Sequence, residues 1–240
     1  MYVGLFMKKL WLLVYFSVVP VAIWGDCYDE IIFLKKIGGL EVLVNLLLLF
    51  YYLDYKKLKF IQIDWYLIEA LLFTIAAGLL ILEFKDIEIL MLINTIGFYL
   101  TQFMFISVFR SEGSILPAVS VVFKEWKMIM MSILFIVGFV FVLIKFIPNS
   151  LLVISFVYST QMMILFWMAY FRPVSFRVFV MGFLGTFFLI VANLWLTINL
   201  LFHQFFCALG VWAILYGCSQ FLIVESVLVK RNKTIYFNQL

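Results

Sequence analysis

A segment such as "GTFFLIVANLWLTIN", Gly185 to Asn199, leaves a chain few environments in which to fold. It is apolar on every face, so neither the stripe of a soluble helix nor the alternation of a half-buried strand describes it. Similar runs recur along the sequence, separated only by short charged or turn-like clusters: "DYKKLK", "EFKD", "RSEGS", "PNS", "RPVSFR" and "FHQ". Hydrophobic residues make up 67% and charged residues 12% of the 240 positions. Soluble domains carry roughly 45–50% and 25%. A polytopic all-α membrane protein is the class that fits.

Measured against a span of about 20 residues, eight runs qualify, near Leu10–Trp24, Gly38–Leu53, Trp65–Leu82, Ile87–Phe109, Met128–Ile147, Ser150–Phe171, Val178–Leu200 and Phe206–Val229. The short connections make sequential helices antiparallel neighbours, so residues 1–240 read as one bundle domain of about eight transmembrane helices. No soluble domain, low-complexity linker or internal repeat stands out.

Cations test the orientation, because short cytoplasmic loops collect Lys and Arg. Eight spans put Lys8, Lys9, Lys56, Lys57, Lys59, Arg110, Lys124, Lys127, Arg172, Arg177, Lys230, Arg231 and Lys233 on one side, and only Lys35, Lys36, Lys85 and Lys145 on the other. This thirteen-to-four split predicts that both termini are cytoplasmic. It also explains the net charge of +4 without a nucleic-acid surface. An integral, multi-pass protein of a bacterial inner membrane is expected.

The start of the chain, "MKKLWLLVYFSVVPVAIWG", resembles a signal peptide but lacks the small-x-small cleavage site, so a retained first helix is the better reading. Cys27, Cys207 and Cys218 form neither a disulfide framework nor a metal-ligand spacing. No phosphate-binding glycine loop, His-x-x-x-His pair or nucleophile elbow is present, and the only histidine, His203, falls in the "LFHQF" turn. No cofactor or metal is expected.

Polar side chains within the apolar runs are then the informative residues, since lipid offers them no partner. They are Glu41, Asn45, Glu69, Asn94, Gln102, Gln161, Asn193, Asn199, Gln220 and Glu225. Glu69 and Glu225 lie a turn or two from a helix end, within reach of headgroups. Asn94, Gln102, Gln161, Asn193 and Gln220 are deeper, where bonding between helices is the first expectation and ligand contact the second. "GFLG", Gly182 to Gly185, reads as a close-packing surface.

From about Glu69 onward, the order of segments resembles the YhhN-like lysoplasmalogenases, eight-helix membrane proteins of similar length. "ALLFTIAAGLLIL" is similar to the family's third-helix run, "ALLFSLIGDVLLL", and "INTIGFYLTQFMFISVFR" to its fourth, "FLLAHIFYIIAF". "GTFFLIVANLWLTIN" resembles the seventh-helix run "GALLFVLSDSLLAIN", and "AILYGCSQFLIV" the last, "MITYYLAQYLIV", keeping Tyr216 and Gln220. The departures fall on polar positions. Where the family has Gly-Asp and Ser-Asp, this chain has Ala77-Gly78 and Ala192-Asn193; its His and Tyr become Gln102 and Phe105; and a Lys-Pro is loosely matched by Glu41-Val42.

The resemblance implies hydrolysis of the vinyl ether of a lysoplasmalogen to a fatty aldehyde and a glycerophospho-alcohol. That reaction needs a proton delivered to carbon and a water activated at the adjacent carbon, work for paired carboxyls. Gly78 and Asn193 can do neither, and Glu69, nine residues from Gly78, lies about 13 Å away along the helix. The expectation is a divergent member without the hydrolase chemistry, holding membrane lipid, a lysophospholipid or another amphiphile in a cavity lined by Gly78, Gln102, Asn193, Tyr216 and Gln220. An active hydrolase with rearranged groups is the alternative, and a small transporter the third class. Returning Asp to positions 78 and 193, with reversion of Gln102 and Phe105 where the two acids do not suffice, is the change expected to restore turnover.

Overall fold

A chain crossing lipid must satisfy its backbone polar groups internally, and an α-helix does so within each segment. The computed structural model describes residues 17, 30–56, 60–115, 126, 130, 132, 134, 149–202 and 208–237. Among the described residues there are six long helices and no strand: α1 (Glu30–Lys56), α2 (Gln62–Glu83), α3 (Ile87–Ser111), α4 (Asn149–Tyr170), α5 (Phe176–Phe202) and α6 (Ala208–Phe237). Five contain stretches long and apolar enough to span a membrane, at Leu34–Tyr55, Gln62–Glu83, Glu88–Ser111, Phe176–Asn199 and Ala208–Val229. The chain is a multi-pass helical membrane protein. The runs near Leu10–Trp24 and Met128–Ile147, and likewise Cys27, His203 and Cys207, lie outside the described residues.

Helices outrun the apolar segments that mark them, because backbone bonding continues past the hydrocarbon edge. Thus α1 starts at Glu30, well before the expected Gly38, and takes in Lys35. The Lys35 ammonium donates to the Leu82 carbonyl at 2.9 Å, satisfying an end group of α2. The N-terminus of α3 is capped by Asp86, whose carboxylate accepts from the backbone N–H groups of Glu88 at 2.9 Å and Ile89 at 3.2 Å. At its other end the chain turns out through Gly113, at φ 92°, where a side chain would be strained. There Ser114 N–H returns to the Phe109 carbonyl at 3.0 Å.

Each helix packs on its successor and α6 packs on α1, so the six close into a ring. Asn45 meets Tyr216 and Tyr51 meets Glu225, a rising register that makes α1 and α6 parallel. Gln161 meets the Tyr99 carbonyl and Ser114 meets that of Met168, so α3 and α4 are parallel too. Ser111 and Asn149 therefore sit at opposite ends of the ring. One end gathers the C-termini of α1, α3, α4 and α6 with Arg110, Arg172 and Arg177. Cations there oppose the negative ends of four helix dipoles. The "GFLG" surface packs as expected: a Cβ on Gly185 would lie 3.0 Å from the Ser219 carbonyl of α6.

Candidate functional site

Two levels of buried polar groups cross the ring. The first is at the cation-rich end and holds helices together. Tyr51 and Tyr52, adjacent on α1, donate their hydroxyls to Glu225 of α6 and Asp64 of α2. Asp64 also accepts the Ile61 N–H at 2.7 Å, tying down the start of α2. Glu225, expected to reach the headgroups, is buried instead: its position on α6 turns it inward toward α1, and the Tyr51 hydroxyl replaces solvent.

Arg172 supplies the same kind of closure across four elements. In the sequence it reads as one more loop cation; in the structure its guanidinium is fully buried and ion-paired with Glu112 at the end of α3. It also donates to Ser226 Oγ at 3.1 Å and lies 4.7 Å above the Phe109 ring. Gly182 of α5 leaves room for it, since a Cβ there would come within 2.5 Å of Nη1. Burial weakens the hold of Arg172 on its proton, and the neighbouring Glu112 charge opposes that shift.

The second level lies deeper, two to three helical turns from the first, and its parts are not fully paired. Glu41 and Asn45 stand one turn apart on the inner face of α1, both buried. Asn45 Nδ2 donates to the Glu41 carbonyl at 2.7 Å and to the Tyr216 hydroxyl of α6 at 2.9 Å. Thr74 of α2 sits beside Tyr216 and shares a 2.8 Å hydrogen bond with Thr101 of α3. Gln102 faces Tyr158 of α4, and both Tyr158 and Tyr216 lie within electrostatic range of the Glu41 carboxyl. Phenols from α4 and α6 therefore approach the acid, with Gln102 of α3 and Thr74 of α2 placed against those phenols. Glu41 Oε1 and Asn45 Oδ1 are buried without a hydrogen-bond partner, and the side chain that Gln102 has to pair with is the Tyr158 hydroxyl.

The residues singled out from the sequence divide around this centre. Gly78 abuts α1 directly: a Cβ on it would lie 2.7 Å from the Gly38 carbonyl, 2.8 Å from Val42 and 3.5 Å from the Glu41 Cβ. Gln102 and Tyr216 belong to the cluster as described. Asn193 is buried but turned back on α5, donating to the Leu189 carbonyl at 2.8 Å, and lies about level with Trp212. Gln220 is buried one turn beyond Tyr216 with both amide atoms unpartnered. Glu41, in the sequence one polar residue among ten and a loose match to a lysine of the resembling family, is the described acid nearest Gly78. The sequence-level signal for it is an i, i+4 acid–amide pair inside an apolar run.

The same geometry revises the expected rescue. An aspartate at position 78 would overlap the α1 backbone before its carboxyl could reach the interior, so Gly78 is here a contact residue for helix packing. Among the described residues, no group of three or more His, Cys, Asp and Glu is arranged to hold a metal ion. No family model, curated protein or solved structure matches the chain.

Proposed function

We propose that the protein binds the polar part of an amphiphile at the Glu41 level of the ring, with its cation-rich end facing the cytoplasm of a bacterial inner membrane. One observation carries this reading: Glu41 and Asn45 leave buried acceptors unpartnered at mid-depth on the inner face of α1, opposite the phenols of Tyr158 and Tyr216. Buried polar groups in proteins are paired almost without exception, and in hydrocarbon each unpaired group costs several kcal/mol by the general estimate. Helices retain such groups where they contact substrate or line a path. The resemblance of the α2, α3, α5 and α6 sequences to lysoplasmalogenases supports a lysophospholipid or related single-chain amphiphile as occupant, in a divergent member of that family without its two acids.

The test is photocrosslinking of a diazirine-bearing lysophospholipid to the protein in nanodiscs, mapped by mass spectrometry. Crosslinks on the peptides holding Glu41 and Tyr216 are expected. Labels confined to outward-facing residues such as Phe50, Leu72 and Phe103 would refute the reading.

A second reading is favoured by the Glu41–Gly78 contact. The carboxyl missing from α2 is replaced, one helix over, by one whose Cβ would be 3.5 Å from the position 78 Cβ. A hydrolase built on Glu41 as the single proton donor would release aldehyde from lysoplasmalogen and lose that activity in Glu41→Gln. Absence of release from the wild type leaves the binding reading and removes this one.

A further inference from the structure

The chemistry of the Glu41 level is one-sided in charge, and this selects among amphiphiles. Its unpartnered acceptors are Glu41 Oε1 and Asn45 Oδ1, and the unpartnered donor beside it is the neutral indole N–H of Trp212. No described Lys, Arg or His faces it. Lys35 is engaged with the Leu82 carbonyl toward the opposite end of the ring, and Arg172 is paired with Glu112 at the cation-rich end. The aromatic groups beside it suit a cation as well: Tyr216 is stacked on Trp212 with ring centroids 4.9 Å apart and meets Phe98 edge-on at 6.0 Å. Ring faces attract ammonium groups, most strongly when water is absent. A phosphate brought to this depth would find a carboxyl, carbonyl oxygens and neutral donors, with no cation among the described residues to neutralise it.

We infer that the Glu41 cluster selects a single-chain amphiphile whose polar head is a positively charged amine. This rests on the reading that the ring binds an amphiphile at all. The ammonium is held by the Glu41 carboxylate, accepts no hydrogen bond, and donates to the Asn45 and Gln102 carbonyls, while its chain runs among the apolar side chains of the ring. A cation and a proton compete for the same carboxyl, so amine binding weakens as the pH falls. The groups around Glu41 do not introduce a competing charge change of the same kind: α2 presents Gly78, α4 and α6 present the phenols of Tyr158 and Tyr216, and Gln102 and Thr74, which pair with those phenols, are neutral.

The experiment compares tritiated dodecylamine, dodecanol and dodecyl phosphate for binding to the protein in nanodiscs, with empty nanodiscs as the blank. Charge-assisted hydrogen bonds outweigh neutral ones, so the amine should bind about tenfold or more tighter than the alcohol, and the phosphate most weakly. Glu41→Gln should bring the amine to the level of the alcohol and remove the pH dependence. Equal binding of all three compounds would overturn the charge selection while sparing amphiphile binding; no binding of any would overturn the amphiphile reading itself. Displacement of dodecylamine by ethylamine at equal concentration would overturn a lipid-borne head in favour of a soluble ammonium ion. If Glu41→Gln is not recovered folded, labelling of wild-type Glu41 by dicyclohexylcarbodiimide provides the second measurement. Dodecylamine must slow that labelling more than dodecanol does, and equal protection would refute the inference.

Discussion

Removing the Glu112 carboxylate should destabilise the ring more than any other single change at its cation-rich end. The partner left behind, Arg172, is fully buried, and breaking such a pair from one side costs about 3–5 kcal/mol. Two contacts remain to it, the Ser226 hydroxyl at 3.1 Å and the Phe109 ring at 4.7 Å. They place Glu112→Ala toward the lower figure, about 3 kcal/mol, or a change of roughly two orders of magnitude in the unfolding equilibrium. Glu112→Gln keeps an acceptor and should lose less. Unfolding by sodium dodecyl sulfate in mixed micelles, followed by circular dichroism, gives the difference directly. The double change Glu112→Leu with Arg172→Met should be more stable than either partner deletion alone, because no charge is stranded. A loss below about 1 kcal/mol for Glu112→Ala, the range of exposed pairs, would refute the reasoning. So would a clear weakening of the wild-type pair by salt, since a buried pair escapes most screening.

Gly182→Ala should mimic part of that loss, because its Cβ would displace the guanidinium it now faces at 2.5 Å; the same detergent titration reads it. Gly78→Ala should cost about 1–3 kcal/mol by overpacking α1 against α2, and Gly78→Asp with Asn193→Asp should yield no aldehyde release. Tyr51→Phe should lower stability by about 1–3 kcal/mol, the range for removing one partner of a buried hydrogen bond; an unchanged midpoint would deny Glu225 its inward role. Cysteines placed at Lys85 and Arg177 should be labelled by impermeant maleimide from opposite sides of the membrane, Lys85→Cys from outside. Labelling of both from one side would contradict the ring.

The helices were legible in the sequence because hydrocarbon thickness leaves a mark in every span: α2, α3 and α5 lie within two or three residues of their apolar runs. The site was less legible, for a physical reason visible in three asparagines. Asn45, Asn193 and Asn199 each donate to the carbonyl one turn earlier on their own helix, at 2.7–2.8 Å. That acceptor is always in reach. An amide in an apolar run thus has a local solution and a distant one, and nothing in the run distinguishes them. Gln161 took the distant one, bonding the Tyr99 carbonyl of α3 at 2.9 Å. Glu41 was one of ten polar residues and a loose family match, because the groups around it, Gly78, Tyr158 and Tyr216, lie on three other helices. Arg172 looked like topology alone until Glu112, Ser226 and Phe109 were brought around it.

The parallel seam between α1 and α6 also has a history during synthesis. Asn45 meets Tyr216 and Tyr51 meets Glu225 across sequence separations of 171 and 174 residues. When α1 leaves the translocon, the helix that completes its inner face has not yet been made. For most of translation its acid and amide must be sheltered by α2, by Asn45 bonding back to the Glu41 carbonyl, or by the insertion machinery itself. A nascent chain arrested before Ala208 should therefore remain held by that machinery or be degraded, while one released after Lys230 closes the seam at once.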